Sequence, residues 1–348
     1  MSPPAATAPP AATAAQALPR MGWGRPALSA LPDAAQRRLV AHAVARGLLL
    51  DTASGYKAPG APAGDHERCL GRCLAALAAE DPERAGRAAV LAKVWPVRDA
   101  ASGEVVVEAQ LRASLQRLGL PRVAACLAHR FDPDADPAEV VRAFSRCVER
   151  GLCGAWGCSR WLTAKVAEAV AIARAEGLVA PQISQGPYSI LGRDDGALRP
   201  WPHAHPPEGN GRRRVEVEGA ELRALGVALF GFSPLGGALL SGRPAAAVRS
   251  LPAEGHAHRA SVLGLLDRAK ALEPVAAEMG LPLARMATAW CLREAPAEGV
   301  GPALHCTVTG ASSPEQMDEN LRALASAGAF TEAILERIDA AAGTRPGR

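Results

Sequence analysis

The chain has 348 residues, 49% of them hydrophobic and 21% charged, with a formal net charge of +4. That length and apolar content suffice for one large core, and a mild positive charge spread along the chain argues against nucleic acid as the main partner. Charged residues, Gly or Pro interrupt every apolar run before the roughly 20 residues a membrane helix needs, so the protein is expected to be soluble and not membrane-inserted.

Residues 1–16 are almost all Ala, Pro and Thr without charge, the composition of a disordered arm; a transit peptide would be richer in Arg and Ser. From Leu18 onward short apolar runs alternate with longer amphipathic stretches, the signature of βα units around a parallel sheet. A first strand is expected around 17–23, a helix over 34–45, and strands over 48–52 and 89–94. A helix over 107–118, a strand over 123–129, a helix over 137–150, a strand over 153–158, a helix over 164–176 and a strand over 182–185 follow. Residues 194–211, rich in Pro, Gly and His, break the pattern as an exposed insertion. After a strand over 227–233 comes a second irregular stretch, 243–258, then a helix over 281–293 and a strand over 306–310. The catalytic unit thus spans 17–343, with 344–348 a tail. Of the eight cysteines, Cys69 and Cys73 sit one helical turn apart and Cys126, Cys158, Cys291 and Cys306 lie in apolar runs, which reads as reduced thiols of a cytoplasmic protein.

Eight strands alternating with helices suit a barrel or an open doubly wound sheet. The strand ends decide between them. Asp51, Lys93, His129, Ser159, Gln185, Ser233 and Ser312 stand at or just beyond the C-terminal ends, and only a (β/α)8 barrel converges so many ends on one face.

Four of these loops and ends carry the sharpest chemistry. Asp51 closes an apolar run, Tyr56 follows on the loop, and Lys93 lies within AVLAKVW, where a cation without a carboxylate nearby would be costly to desolvate. Each also has an ordinary reading: a turn cap, a loop aromatic, a solvated cation. A free phenol titrates near about 10, and an adjacent ammonium is expected to lower that value. Lys93 would supply this field, Asp51 would hold Lys93 charged and oriented, and Tyr56 would be the reactive end of a proton relay. His129 ends the run CLAH where a second donor to a carbonyl oxygen is needed; its ordinary reading is a satisfied core histidine.

These motifs resemble the aldo-keto reductase superfamily, and within it the branch of the voltage-gated potassium channel beta subunits, from about Gly22 to the C-terminus. DTASGY is similar to that family's Asp-Thr-Ala-x-x-Tyr motif, LAKVW carries its lysine, and HRFDPDADPAEVVRAF resembles the segment beginning at its active-site histidine. AWGCSRW, ISQGPYSIL, FGFSPLGGALLSG, HRASVLG and TGASSPEQMDEN extend the similarity through the back half. The resemblance implies Tyr56 as general acid, Lys93 and Asp51 as its supporting ion pair, His129 as the residue that orients a small-molecule carbonyl substrate, and NADPH as cofactor. Channel beta subunits typically carry Asn where this chain has His129, which favours a working reductase. The alternative is an NADP(H)-binding regulatory subunit with little turnover and a potassium channel as partner, and the branch allows a homotetramer.

The resemblance further implies NADPH extended across the top of the barrel. Ser159, Arg160 and Gln185 are expected at the nicotinamide end, with Phe232 stacked on the ring ahead of Ser233, Pro234 and Leu235. Gly236, Gly237, Ser241 and Arg243 are expected over the pyrophosphate, where backbone N–H groups and a guanidinium suit a dianion. Arg259, Ser261, Gly310, Ser312, Gln316, Glu319 and Asn320 would hold the adenosine and its 2′-phosphate, and Gly22, Trp23 and Asp51 complete the set. The segment 312–315 also reads as a plain helix start, which is compatible because a helix N-terminus favours phosphate. Relatives often place an arginine where Ser312 and Ser313 stand, so the preference for NADPH over NADH leans on Arg259.

Three other readings are set aside. Residues 22–27 fit a loose G-x-G-x-x-A but lack a long preceding strand and an acidic residue at the expected distance. Ser233 lacks a G-x-S-x-G frame and a His-Asp pattern. His203 and His205, or His256 and His258, lack organised further ligands, so no metal is expected. Where relatives plug the barrel floor with a β-hairpin this chain has its Ala/Pro-rich arm, so a more open floor is expected. Lys57 follows Tyr56 in place of the commoner Gly, and the loop 58–65 looks long. Trp23, Tyr56, Trp95, His129 and Trp161 are expected to form an aromatic mouth suited to flat or apolar aldehydes.

Overall fold

The computed structural model describes residues 13–25, 27–98, 105–130, 135–192, 215–243, 259–293 and 304–343. The expected insertion at 194–211 with His203 and His205, the pair His256 and His258, the side chain of Ser261 and the tail lie outside the described residues.

In chain order the elements are β1 (Met21–Trp23), α1 (Asp33–Ala45), β2 (Leu49–Asp51), α2 (Asp65–Glu80), α3 (Pro82–Gly86), β3 (Val90–Val94), β4 (Val97–Arg98), β5 (Val105–Val106), α4 (Glu108–Leu118), β6 (Val123–Ala128) and α5 (Pro137–Glu149). They continue with β7 (Cys153–Ser159), α6 (Thr163–Glu176), β8 (Ile183–Pro187), α7 (Val215–Ala224), β9 (Ala228–Phe232), α8 (Arg259–Ala271), α9 (Glu273–Glu278), α10 (Leu283–Cys291), β10 (Cys306–Thr309), α11 (Pro314–Ala325) and α12 (Glu332–Ala342). Eight strands close a parallel barrel in the order β1-β10-β9-β8-β7-β6-β3-β2, so the open-sheet alternative falls. The expected helices and strands are present with ends shifted by a few residues. β4 and β5 form a separate antiparallel pair. Helices α2, α7, α8, α9 and α12 do not stand out in the sequence pattern. No helix among the described residues is long and apolar enough to cross a membrane.

Alternation along each strand sends one set of side chains into the barrel and the other toward the helices. Leu49, Leu91, Ala125, Leu127, Ala155, Ile183 and Phe230 fill the inside. Leu50, Val90, Ala92, Val94, Cys126 and Trp156 pack outward, with Phe144 of α5 stacked on Trp156 at 5.0 Å. Gly157 is required where β7 meets β8, because a Cβ there would stand 2.2 Å from the Ile183 carbonyl oxygen. The eight cysteines are buried and none is in a disulfide.

Two expectations are corrected at the N-terminal end. Residues 14–16 are not part of a disordered arm: Ala14–Ala17 form a 3-10 turn, with Thr13 and Gln16 exchanging capping contacts. The barrel floor is accordingly closed. Ala15, 0% exposed, packs among the interior residues, its N–H reaches Gln182 Oε1 at 3.3 Å, and His305 Nε2 bonds the Leu18 carbonyl at 2.8 Å.

Candidate active site

Register brings the first charged pair together. Asp51 on β2 lies opposite Leu91 on β3, and Lys93 is two residues further along β3, so Leu91 and Lys93 face the same interior. Lys93 Nζ donates to Asp51 Oδ1 at 2.5 Å, to the Thr52 carbonyl at 3.2 Å and to Tyr56 Oη at 3.4 Å, and lies 4.9 Å from the centre of the phenol ring. Gln185 of β8 reaches across to give Nε2 to Asp51 Oδ2 at 3.0 Å, so both carboxylate oxygens are engaged.

The loop carrying Tyr56 is clamped at both ends. Ser54 N–H bonds the Lys93 carbonyl at 3.0 Å, Gly64 N–H bonds the Ser54 carbonyl at 2.8 Å, and His66 N–H bonds the Tyr56 carbonyl at 3.2 Å. Buried His66 also bonds the Thr52 hydroxyl through Nδ1 at 2.8 Å and sets its ring edge-on to Tyr56 at 5.9 Å. His129 follows β6, its N–H on the Val94 carbonyl at 2.8 Å, and its ring meets Tyr56 edge-on at 5.6 Å. Trp95 stands 5.1 Å from His129 on its other side.

A cavity of about 200 Å³ opens over these groups, lined by Asp51, Tyr56, Lys93, His129, Ser159, Arg160, Gln185, Phe232, Ser233 and Gly310, together with Gly24, Val308 and Thr309. Sequence reasoning omitted the last three. The usable signal was their position at the ends of β1 and β10, where a barrel gathers its loops. Two lining residues hold left-handed backbone without being glycine, Arg160 at φ 60 and Ser233 at φ 58, a cost that concentrates at functional sites. The Arg160 N–H is pinned to the Gln185 carbonyl at 2.7 Å.

The remaining expected residues lie outside this cavity. Gly22 is a wall residue of β1, where a Cβ would come within 3.0 Å of Val308. Pro234, Leu235, Gly236 and Gly237 continue along the loop after β9, Ser241 gives its hydroxyl to the Ala238 carbonyl at 2.6 Å, Arg243 is exposed and Arg259 begins α8. Ser312 Oγ accepts from Arg25 at 2.7 Å and its N–H bonds Gln316 Oε1 at 2.7 Å; Asn320 gives Nδ2 to the Gly310 carbonyl at 3.3 Å. Glu319 is held by Arg285 at 2.7 Å and Arg322 at 2.7 Å. The five-residue aromatic mouth is corrected. Trp23 and Trp161 are each 2% exposed in the outer core, the Trp23 indole donates to the Ala311 carbonyl at 3.2 Å, and Trp95 stands beside His129 without lining the cavity, so of the five only Tyr56 and His129 line it.

The electrostatics differ from expectation in one respect. Burial raises the Tyr56 pKa above the ordinary phenol value, and the opposing pull of Lys93 does not overcome it. The phenol is therefore protonated at neutral pH, a donor awaiting an acceptor. Burial alone would depress Lys93, but Asp51 and then Tyr56 outweigh it and hold the ammonium above its ordinary value. His129 is pushed down to about 3 by burial, then by Lys93, Arg160 and Arg130, and is neutral. His66 is pushed down to about 4, mainly by burial.

These buried neutral histidines couple folding to pH. A base whose folded pKa lies below its unfolded value adds full stability above the unfolded value near about 6.5 and loses it as pH falls toward the folded one. For His66 the loss approaches roughly 3 kcal/mol. Tm is expected to fall between pH 7 and pH 5, above most carboxylate titration, and the slope to flatten in His66→Asn. An unchanged slope in that variant would refute the assignment.

The aldo/keto reductase family model matches residues 20–342. A protein of Oryza sativa subsp. japonica described as a probable voltage-gated potassium channel subunit beta is 29% identical over 248 residues, covering 68% of this chain and 67% of that protein. The crystal structure of an aldo/keto reductase from Klebsiella pneumoniae in complex with NADP and acetate matches 95% of this chain and 93% of that chain, with a TM-score of 0.66 at 19% identity. At that identity the likeness is one of fold.

Proposed function

This chain belongs to the aldo/keto reductase family, and we propose that it is an NADP-dependent oxidoreductase reducing aldehydes and ketones to alcohols, with Tyr56 as general acid. The observation that carries the reading is the Tyr56 hydroxyl on the wall of a cavity, 3.4 Å from an ammonium that is itself 2.5 Å from a buried carboxylate.

The residues around the cavity fit a nicotinamide dinucleotide. Gln185 Oε1 is buried without a hydrogen-bond partner and calls for a donor such as a carboxamide N–H. Gly310 leaves open backbone, since a Cβ there would meet nothing nearer than the Gly24 carbonyl at 3.9 Å, whereas a Cβ on Gly24 would crowd Asp51 and Val308 at 3.3 Å. Ser159 and Gln185 would hold the carboxamide, Phe232 the ring, and the loop after β9 with the start of α11 the phosphates. When bound, NADPH supplies a hydride to the carbonyl carbon. Tyr56 gives its phenolic proton to the carbonyl oxygen, and Lys93 holds the phenolate by charge until a proton returns from solvent. His129, being neutral, keeps a ring N–H to donate to the same oxygen and orients it.

Because the Oryza sativa relative is described as a probable voltage-gated potassium channel subunit beta, we infer a second reading, in which this chain would be a channel subunit that binds NADP(H) with little turnover, as a cytoplasmic homotetramer. Purified protein separates the two. With NADPH and either 4-nitrobenzaldehyde or methylglyoxal, sustained loss of NADPH absorbance with formation of the alcohol is expected. NADPH binding without turnover of any aldehyde or ketone would favour the subunit.

A further inference from the structure

His66 is 2% exposed, stands against Tyr56 and does not line the cavity, so it is out of a substrate's reach. Its bonds nevertheless close a circuit around the reacting group. Lys93 Nζ donates to the Thr52 carbonyl at 3.2 Å, the Thr52 hydroxyl shares a hydrogen bond with His66 Nδ1 at 2.8 Å, the His66 backbone N–H donates to the Tyr56 carbonyl at 3.2 Å, and Lys93 Nζ returns to Tyr56 Oη at 3.4 Å. Both anchors of this circuit are firm. Thr52 is fully buried, and its N–H is held by the Leu91 carbonyl of β3 at 2.9 Å. In the first turn of α2 Glu67 accepts from Arg117 Nε of α4 at 2.6 Å, and that arginine packs so closely on Gly64 that a Cβ there would stand 2.5 Å from Nε. Tyr56 by contrast lies on irregular chain, and residues 57–63 after it are mostly exposed.

We propose that His66 is a positioning residue for the proton transfer: tied to Thr52, it holds the Tyr56 ring from outside the cavity so that Oη stays beside Lys93 and within reach of a carbonyl oxygen. The proposal rests on the reductase reading above. A phenol on a loop swings about its side-chain torsions unless it is packed, and a displacement of about 1 Å costs roughly a hundredfold in rate. Two edge-on histidines bracket the ring, His66 at 5.9 Å and His129 at 5.6 Å, and of these His129 lines the cavity. Burial pushes His66 down to about 4, so it meets the phenol as an uncharged ring at neutral pH. The same ring keeps water from the far side of Tyr56. Burial is the largest influence raising the Tyr56 pKa, opposed by Lys93, reinforced by Asp51 and opposed again by Arg160, with His129 neutral.

The test uses the full chain and variants of both anchors. His66→Ala removes the ring and its bond, Thr52→Val cuts the same bond from the other end with little change of shape, and His66→Asn keeps a polar atom near the place of Nδ1. With NADPH and 4-nitrobenzaldehyde, kcat is expected to fall about tenfold or more in His66→Ala and in Thr52→Val, and the double variant to be no worse than His66→Ala alone. His66→Asn should recover most of the loss, and Thr52→Val carries the test where His66→Ala folds poorly. NADPH dissociation constants, read by quenching of tryptophan fluorescence, should stay at the parent value; a rise matching the loss in kcat would mark a merely structural role and overturn the proposal.

A second readout needs no turnover. The chain has two tyrosines, Tyr56 and Tyr188, so protein labelled at the tyrosine ring carbon that bears oxygen gives two NMR signals, which Tyr56→Phe identifies. In His66→Ala water reaches the far side of the ring, and the Tyr56 signal is expected to titrate at lower pH than in the parent. Parent-like kcat in His66→Ala, additive losses in the double variant, or a Tyr56 titration that does not move each overturns the proposal and leaves the reductase reading standing. A parent protein that turns over no aldehyde or ketone is the different result that sinks that reading, and this proposal with it.

Discussion

Replacing Tyr56 by phenylalanine is expected to lower kcat for aldehyde reduction by about two to four orders of magnitude. The substitution removes one atom. The ring keeps its edge contacts with His66 at 5.9 Å and His129 at 5.6 Å, and the loop keeps its backbone clamps to Lys93, Ser54 and His66. What disappears is the hydroxyl 3.4 Å from Lys93 Nζ, whose pKa burial raises above the ordinary phenol value. Affinity for NADPH is expected to persist, since the residues assigned to the cofactor are untouched. Stopped-flow turnover beside a fluorescence titration checks both halves. Full turnover in Tyr56→Phe would remove Tyr56 as the donor and return the question to His129, whose ring also lines the cavity.

Lys93→Met is the second large effect, and it acts on folding as well as chemistry. It leaves the Asp51 carboxylate buried with only Gln185 Nε2 at 3.0 Å to compensate, where the ammonium at 2.5 Å had stood. Breaking a buried pair from one side costs about 3–5 kcal/mol, because the surviving charge has neither water nor partner. Denaturant unfolding of the variant should show a loss of that order, together with loss of reduction. The double variant Lys93→Met with Asp51→Leu should regain much of the stability, since no charge is stranded, and none of the activity. A single variant as stable as the parent would mean that the carboxylate had found another partner, or that the pair is far less desolvated than its burial implies.

The two variants also show which parts of the site could be read in advance. Asp51, Tyr56, Lys93 and His129 are legible because each is an ionisable or phenolic group at the end of an apolar run, and a barrel collects those ends whatever their separation in the chain. The direction of the Tyr56 shift was not legible. Sequence shows that a lysine is available to lower it, but the competing desolvation depends on how much protein surrounds the ring. Trp23 and Trp161 fail as pocket residues for a different reason. Both flank strand ends on the expected face of the barrel, but a shift of one residue exchanges inward for outward, and nothing local in GWG or SRW sets that choice. Gly24, Val308 and Thr309 were overlooked because a lone glycine, valine or threonine at a strand end has no distinguishing pattern.

The N-terminal turn illustrates the same limit. An uncharged Ala/Pro/Thr stretch has the composition of disorder, yet Ala15 is buried and packs with the interior residues of the barrel. Local propensity cannot anticipate a fit to a surface that only the closed barrel creates.

By itself the sequence determined the alternation of strand and helix, the parallel barrel and the cluster of reactive ends, because periodicity and the chemistry of strand termini are local properties. Only the tertiary structure decided which rings line the cavity, that the phenol's pKa moves up and not down, and that a turn of the N-terminal stretch packs into the barrel floor. Each of those depends on burial and on neighbours distant in the chain, and neither is written at a single position.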